Sequence, residues 1–240
     1  MKIALIGYGK MGKAIESIAA DRGHQVSVRL QRSNPADWDA DAFRSSDMAI
    51  EFTSPEAAPQ HILSCFECGV PVVCGSTGWL DRWPEIVAAC NQKQGTLLYA
   101  SNFSVGVNIL FAVNQQLAKL MGPQPQYEVS LEEIHHTEKK DAPSGTAISL
   151  AEQILSEHPI KRNWVNHPSP QPEDLYIESK RIEGVPGTHH IEYRSAIDAI
   201  ELTHTAYNRI GFATGAVLAA EFLYQKRGMY TMQDVLGIGV

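Results

Sequence analysis

The chain has 240 residues, 44% of them hydrophobic and 20% charged, with a formal net charge of −7, which excludes a disordered chain and leaves room for one large domain or two modest ones. The acidic balance argues against a nucleic-acid binder, and no stretch approaches the ~20 apolar residues of a membrane span, so small molecules are the expected partners. The start MKIALIGYG lacks the long apolar segment of a signal peptide, and Cys65, Cys68, Cys74 and Cys90 are too few and too clustered to staple such a chain, so free thiols in the cytoplasm are expected.

Lys2 to Ile6 form a short apolar run, followed by Gly7-Tyr8-Gly9-Lys10-Met11-Gly12 and a helical pattern through Ala14, Ile15, Ile18 and Ala19. Strand, glycine turn and helix are the context that a dinucleotide fingerprint requires: Gly7 for the turn, Gly9 for approach to a pyrophosphate, Gly12 for packing of helix on strand. A second strand, Gln25 to Leu30, ends at Gln31-Arg32-Ser33, where an acid would grip the ribose hydroxyls. No acid stands there, and Arg32 offers a guanidinium to a phosphate instead. Further strands are predicted at Met48 to Thr53, Pro71 to Cys74 and Thr96 to Ala100, with a helix from Pro55 to Cys68 and another after Gly78. Alternation of this kind means a Rossmann-like, doubly wound parallel sheet whose ligands collect at the carboxyl ends of the strands. Those ends are Phe52-Thr53, Gly75-Ser76-Thr77 and Ala100-Ser101-Asn102-Phe103. Cys65 and Cys68 have CxxC spacing, but inside a helical pattern and without a second pair, so they are read as structural.

Beyond Phe103 the texture changes. A helix from Val107 to Met121 and a Gly122-Pro123 break precede a strand, Tyr127 to Leu131, that leads into the cluster EEIHHTEKKDAPSGTA, Glu132 to Ala147. Pro143 to Thr146 open an apolar helical run, so Ser144, Gly145 and Thr146 lie where unpaired N–H groups and the positive helix end favour a carboxylate or phosphate. His135, His136, Lys139 and Lys140 stand just before this anion seat. Adjacent histidines on an extended segment point to opposite faces, and neither Glu138 nor Asp141 completes a ligand spacing, so no metal is expected. The segment 157–173 reads as a mobile loop, a hinge or lid; Tyr176 to Glu183, Thr188 to Ser195 and Ile200 to Ala206 read as strands of a mixed or antiparallel sheet; Gly211 to Lys226 reads as an amphipathic helix. The second part is thus an α+β domain.

HHTEKKDAPSGTA, together with GYGKMG, EFTSPEA, GSTGW, ASNFSVGVN and Arg209-Ile210-Gly211-Phe212-Ala213, resembles the dihydrodipicolinate reductases of diaminopimelate and lysine biosynthesis over nearly the whole chain. The resemblance implies NAD(P)H-dependent reduction of a small cyclic dicarboxylate, 4-hydroxy-tetrahydrodipicolinate. By it, His135 corresponds to a proton donor or acceptor and Lys139 to the proton donor in hydride transfer, with His136, Lys139, Ser144, Gly145 and Thr146 as substrate contacts. The Gly7 to Gly12 loop, Arg32, Phe52, Thr53, Gly75 to Thr77, Ala100 to Phe103, Arg209 and Phe212 are the expected cofactor contacts, for NADPH, NADH or both. The implied organisation is a nucleotide domain, residues 1–103 and 209–240, interrupted by a substrate and oligomerisation domain, 104–208, that builds a homotetramer. The rival readings are a reductase of another small amino or keto acid, and a nucleotide sensor, which would have no need of proton donors beside an anion seat.

Overall fold

Strand β1 (Lys2–Ile6) is buried at every position after its first, as a strand covered on both faces must be. The elements that cover it follow in order: α1 (Lys10–Asp21), β2 (Gln25–Leu30), α2 (Asp41–Arg44), β3 (Met48–Glu51), α3 (Ala58–Cys68), β4 (Val72–Cys74), α4 (Trp83–Lys93) and β5 (Thr96–Tyr99). The second part contains α5 (Val105–Met121), β6 (Glu128–His135), α6 (Gly145–Glu157), β7 (Asn163–Val165), β8 (Asp174–Arg181), β9 (Gly187–Arg194) and β10 (Ala199–Ala206), after which α7 (Ile210–Leu223), β11 (Gly228–Tyr230) and α8 (Met232–Leu236) complete the first. This computed structural model describes residues 1–31, 41–208 and 210–238. Two units result, Met1–Val105 with Ile210–Val240, and Gly106–Arg209.

In the first unit six strands lie in the order β11-β5-β4-β3-β1-β2, all paired parallel. The Rossmann-like, doubly wound sheet read from the sequence is therefore present. Successive residues of β1 serve opposite cores: Ile3 and Leu5 pack with Ile15 of α1 and the alanines of α7, while Ala4 and Ile6 pack with Ile62 and Phe66 of α3 and Ile86 of α4. The strand order reverses between β1 and β3, and that switch point is where an open α/β sheet leaves a crevice for a ligand. Helix α7 departs from the amphipathic expectation, because Ala213, Gly215, Ala216, Val217, Ala219 and Ala220 are all buried. A helix of small residues sunk against a sheet has little polar face to show.

The second unit is α+β, with a mixed sheet in the order β10-β9-β6-β8-β7. Strands β10, β9 and β6 run antiparallel, whereas β8 runs parallel to both β6 and β7. Segment 157–173, expected as a loop, contributes β7 to the sheet edge, and the His158 ring accepts the N–H groups of Ile160 and Lys161 at 3.1 and 3.0 Å. Local composition missed this strand because only its pairing with β8 defines it. Inward positions of β6 alternate, with Val129 and Leu131 in the core alongside Leu150 and Ile154 of α6 and Ile177 and Ile191 of the flanking strands. The strand does not stop at Leu131 but continues through Glu133 to His135.

Candidate active site

In the first unit the chain leaves β1 at Gly7 with φ +95°, and a Cβ there would stand 2.1 Å from the carbonyl oxygen of Phe52. Neither the torsion nor the space admits a side chain. A Cβ on Gly12 would meet the Gly7 oxygen at 2.3 Å, so Gly12 allows α1 to close on the turn, whereas none of the described residues lies within 4 Å of a Cβ on Gly9. Among the described residues the approach to the N-terminus of α1 is therefore open. A cleft of about 890 Å³ lies here, lined by Gly7, Tyr8, Gly9, Gln31, Phe52, Thr53 and His61 among others. A neighbouring hollow of about 390 Å³ adds Lys10, Met11, Gly75, Ser76 and Thr77. Both volumes fall within the range of small-molecule sites.

The structure thus brings together most of the expected cofactor residues, with Ser76 Oγ accepting the Thr53 N–H at 2.8 Å. The remaining ones stand elsewhere. Phe103 is buried against Phe52, ring centres 5.6 Å apart, and Asn102 Oδ1 accepts the Ser104 N–H; neither Phe103 nor Asn102 is part of the lining of either hollow. Ala100 and Ser101, at the end of β5, and Phe212, in the first turn of α7, are not among the lining residues of either hollow. Arg32 and Arg209 lie outside the described residues. Sequence reasoning missed His61 as a cleft residue, because it arrives from α3 and no local pattern announces it. His61 Nδ1 stands 3.3 Å from Glu51, a fully buried carboxylate that also receives the Cys74 thiol at 3.2 Å. Cys65 and Cys74 are buried and burial pushes both thiols up, whereas Cys68, the other member of the CxxC pair, is half-buried.

The second unit assembles its polar cluster by strand register. The inward face that begins with Val129 and Leu131 continues with Glu133 and His135. Across β9 the partner of Glu133 is His189; across β8 the partners of Glu133 and His135 are Ser179 and Arg181. Glu133 is fully buried and accepts the Ser179 hydroxyl at 2.8 Å, an Arg181 guanidinium N–H at 3.3 Å and the Ser144 N–H at 3.1 Å to each oxygen. Ser144 caps α6, its Oγ accepting the Ala147 N–H at 3.2 Å and lying 3.2 Å from His189 Nε2. The N–H and hydroxyl of Ser144 are therefore engaged within the protein, while none of the described residues lies within 4 Å of a Cβ on Gly145. His136 is half-buried, and Lys139 Nζ donates to both oxygens of Asp141 at 2.8 Å.

Burial alone would raise the Glu133 carboxyl, but the donors on Ser144 and Ser179, with His135 beside it, outweigh burial and hold it below the usual carboxylate range. For His135 burial dominates and lowers the imidazole; Glu133 opposes it, and Lys139 and Arg181 add to the depression. Asp141 is held low by Lys139 against the opposing effect of its own burial. His189, more deeply enclosed, is pushed down to about 3 by burial and then by His135. A neutral imidazole beside a buried carboxylate, a lysine ammonium and a helix N-terminus can move a proton and hold an anion. Glu133, His135 and His189 also present ligand atoms within 4.8 Å of one another, a grouping that sequence spacing did not reveal. Arg181, Ser144 and Ser179 already occupy the carboxylate, so the cluster is built as a hydrogen-bonded network rather than around a cation.

Residues 1–103 match the family model described as dihydrodipicolinate reductase, N-terminus, and residues 106–236 match dihydrodipicolinate reductase, C-terminus. A 4-hydroxy-tetrahydrodipicolinate reductase of Christiangramia forsetii is 47% identical over 236 residues, 98% of each chain. One from Neisseria gonorrhoeae is 34% identical over 230 residues, covering 93% of this chain and 84% of the relative. Among solved structures, a dipicolinate-bound dihydrodipicolinate reductase from a Paenisporosarcina species superposes with a TM-score of 0.77 at 21% identity, over 98% of both chains.

Proposed function

The chain belongs to the dihydrodipicolinate reductase family, and from that premise we propose how its residues divide the reaction. It is an NAD(P)H-dependent oxidoreductase that reduces 4-hydroxy-tetrahydrodipicolinate to tetrahydrodipicolinate in lysine and diaminopimelate biosynthesis. Residues 1–103 and 209–240 serve as the dinucleotide domain, and 104–208 as the substrate and assembly domain. The open approach at Gly9 and the cleft beside it fit a dinucleotide, whose diphosphate Gly7 to Gly12 would hold. When bound, the nicotinamide supplies the hydride. Thr53 and Gly75 to Thr77 would orient the ring end, and Gln31 with Arg32 the adenosine end.

In the substrate domain Gly145 and Thr146, at the N-terminus of α6, bind one ring carboxylate, and His136 adds a polar contact. Ser144 belongs to this seat as its cap. Lys139 protonates the ring nitrogen as hydride arrives, and His135 gives or takes the accompanying proton. The 4-hydroxyl leaves as water, and the ring then conjugated to nitrogen accepts hydride more readily once that nitrogen is protonated. The observation that supports this division most directly is the placing of His135 on the inward face of β6, within the network that also caps α6. Lys139→Ala and His135→Ala should each lower turnover by roughly two to four orders of magnitude while dinucleotide affinity stays within a few-fold. Near-normal turnover in either variant overturns the role given to that residue.

A cytoplasmic homotetramer assembled through the second sheet completes the reading. Strand β10 is an exposed eight-residue edge, flanked by exposed Ile197 and Tyr207. Such an edge invites pairing or cover by another copy.

A further inference from the structure

We infer that Glu133 is the positioning residue of this site, a single buried carboxylate that sets the tautomer of His135 and anchors the entry into α6. The inference rests on the reading of His135 as the proton-handling group. A fully buried carboxylate costs several kcal/mol unless paired, and Glu133 is paired on every side: Ser144 N–H, Ser179 hydroxyl and Arg181 on one flank, His135 on the other. His135 Nδ1 lies 3.3 Å from Glu133 Oε2, short of full hydrogen-bond alignment, and among the described residues no other partner reaches that buried nitrogen. Catalytic hydrogen bonds are commonly loose before substrate binds and tighten with it.

An ionised carboxylate can only accept. The neutral His135 ring facing it therefore holds its proton on Nδ1 and presents the Nε2 lone pair on the opposite side. That side is kept clear by Gly187, where a Cβ would stand 3.1 Å from Nε2 and 3.2 Å from Cδ2. Proton exchange with substrate or water then runs through Nε2. Because the Ser144 N–H binds both oxygens of the same carboxylate, the proton carrier and the anion seat share one fixed point. The charged and titratable groups around His135 are Glu133 on its own strand, Lys139 and Asp141 in the following loop, Arg181 on β8 and His189 on β9.

The test is Glu133→Gln in the full chain, read by nitrogen NMR of labelled histidine and by the pH profile of turnover. An amide can turn its NH2 toward Nδ1, reversing the tautomer, and it removes the counter-charge from protonated His135. We expect the unmodified protein to show the Nδ1–H form and the variant the Nε2–H form. Turnover should fall roughly 10²- to 10⁴-fold, by analogy with amide replacement of the acid in a Ser-His-Asp triad, with dinucleotide affinity unchanged. The pH limb governed by His135 should move to lower pH. An Nε2–H tautomer in the unmodified protein overturns the inference, even where the variant fails to fold. So does a folded variant with unmoved tautomer and limb. His135→Ala separates the two readings: if it retains turnover, the role of His135 falls; if it abolishes turnover while Glu133→Gln leaves tautomer and limb in place, only the role of Glu133 falls.

Discussion

His189 makes the second unit acid-labile in a window where carboxylates are silent. Its imidazole is 4% exposed, packs edge-on to His135 at 5.2 Å, and is pushed by burial from the ordinary 6.5 down to about 3. Because the folded value lies below the unfolded one, the stabilisation from keeping this ring neutral is fully present above pH 6.5. It is lost as pH falls toward the folded value, as the unfolded chain takes up a proton that the folded chain refuses. The slope is about 1.4 kcal/mol per pH unit for one proton, so between pH 6.5 and 4.5 roughly 2 to 3 kcal/mol disappears, a sizeable part of the 5 to 15 kcal/mol that holds a typical domain. His135, His158 and His204 are also depressed, chiefly by burial, and act in the same direction. Glu133 joins only below about 4.5, the ordinary value from which it is lowered. Hydrogen exchange of β9 and α6 amides between pH 7.5 and 4.5 reads this unit by itself. In His189→Gln, which keeps a hydrogen-bonding group for Ser144 Oγ, the slope should flatten by about one proton. Identical slopes in the two proteins would refute the reasoning.

Two other expectations concern cofactor choice and assembly. Arg29, the other guanidinium near the end of β2, is engaged by Glu16, so Arg32→Ala should raise the Michaelis constant for NADPH roughly tenfold, matching an exposed phosphate contact of about 1 to 2 kcal/mol, and leave that for NADH nearly unchanged; equal effects on both cofactors would remove Arg32 from the discrimination. Light scattering at assay concentrations should give the mass of four chains, and a stable monomer would reject assembly through the second sheet.

The first unit was legible because its signals are local. A glycine turn between an apolar strand and a helix specifies both the element order and the place of the cleft, and at Gly7 and Gly12 a side chain would clash with the backbone of the turn and of Phe52. The second site was legible only in part. The histidine and lysine cluster and the cap at Ser144 stand within one stretch of chain, but Glu133 reads as one more charge in Glu132-Glu133. Ser179, Arg181 and His189 come from strands 46 to 56 residues later in number, brought alongside by pairing that no local pattern encodes. Helix α7 was misjudged for a related reason: Gly211 to Lys226 ends in polar residues, while the helix proper stops at Leu223 and is buried on nearly every side.

Register also decides which of two adjacent histidines enters the buried polar network. On β6 the inward set is Val129, Leu131, Glu133 and His135; Ser130, Glu132 and Ile134 face the other way, Glu132 paired with Lys180. A slip of one residue would turn Val129 and Leu131 out of the core, at about 1.5 to 3 kcal/mol for each side chain. It would also strip Glu133 of Ser144, Ser179 and Arg181, and bury Glu132 without them. Two ordinary core residues thus place His135, rather than His136, beside Glu133. The same alternation that fills the core at one end of the strand sets out the polar network at the other, so a substitution at Leu131 that loosened the register would be felt first at His135.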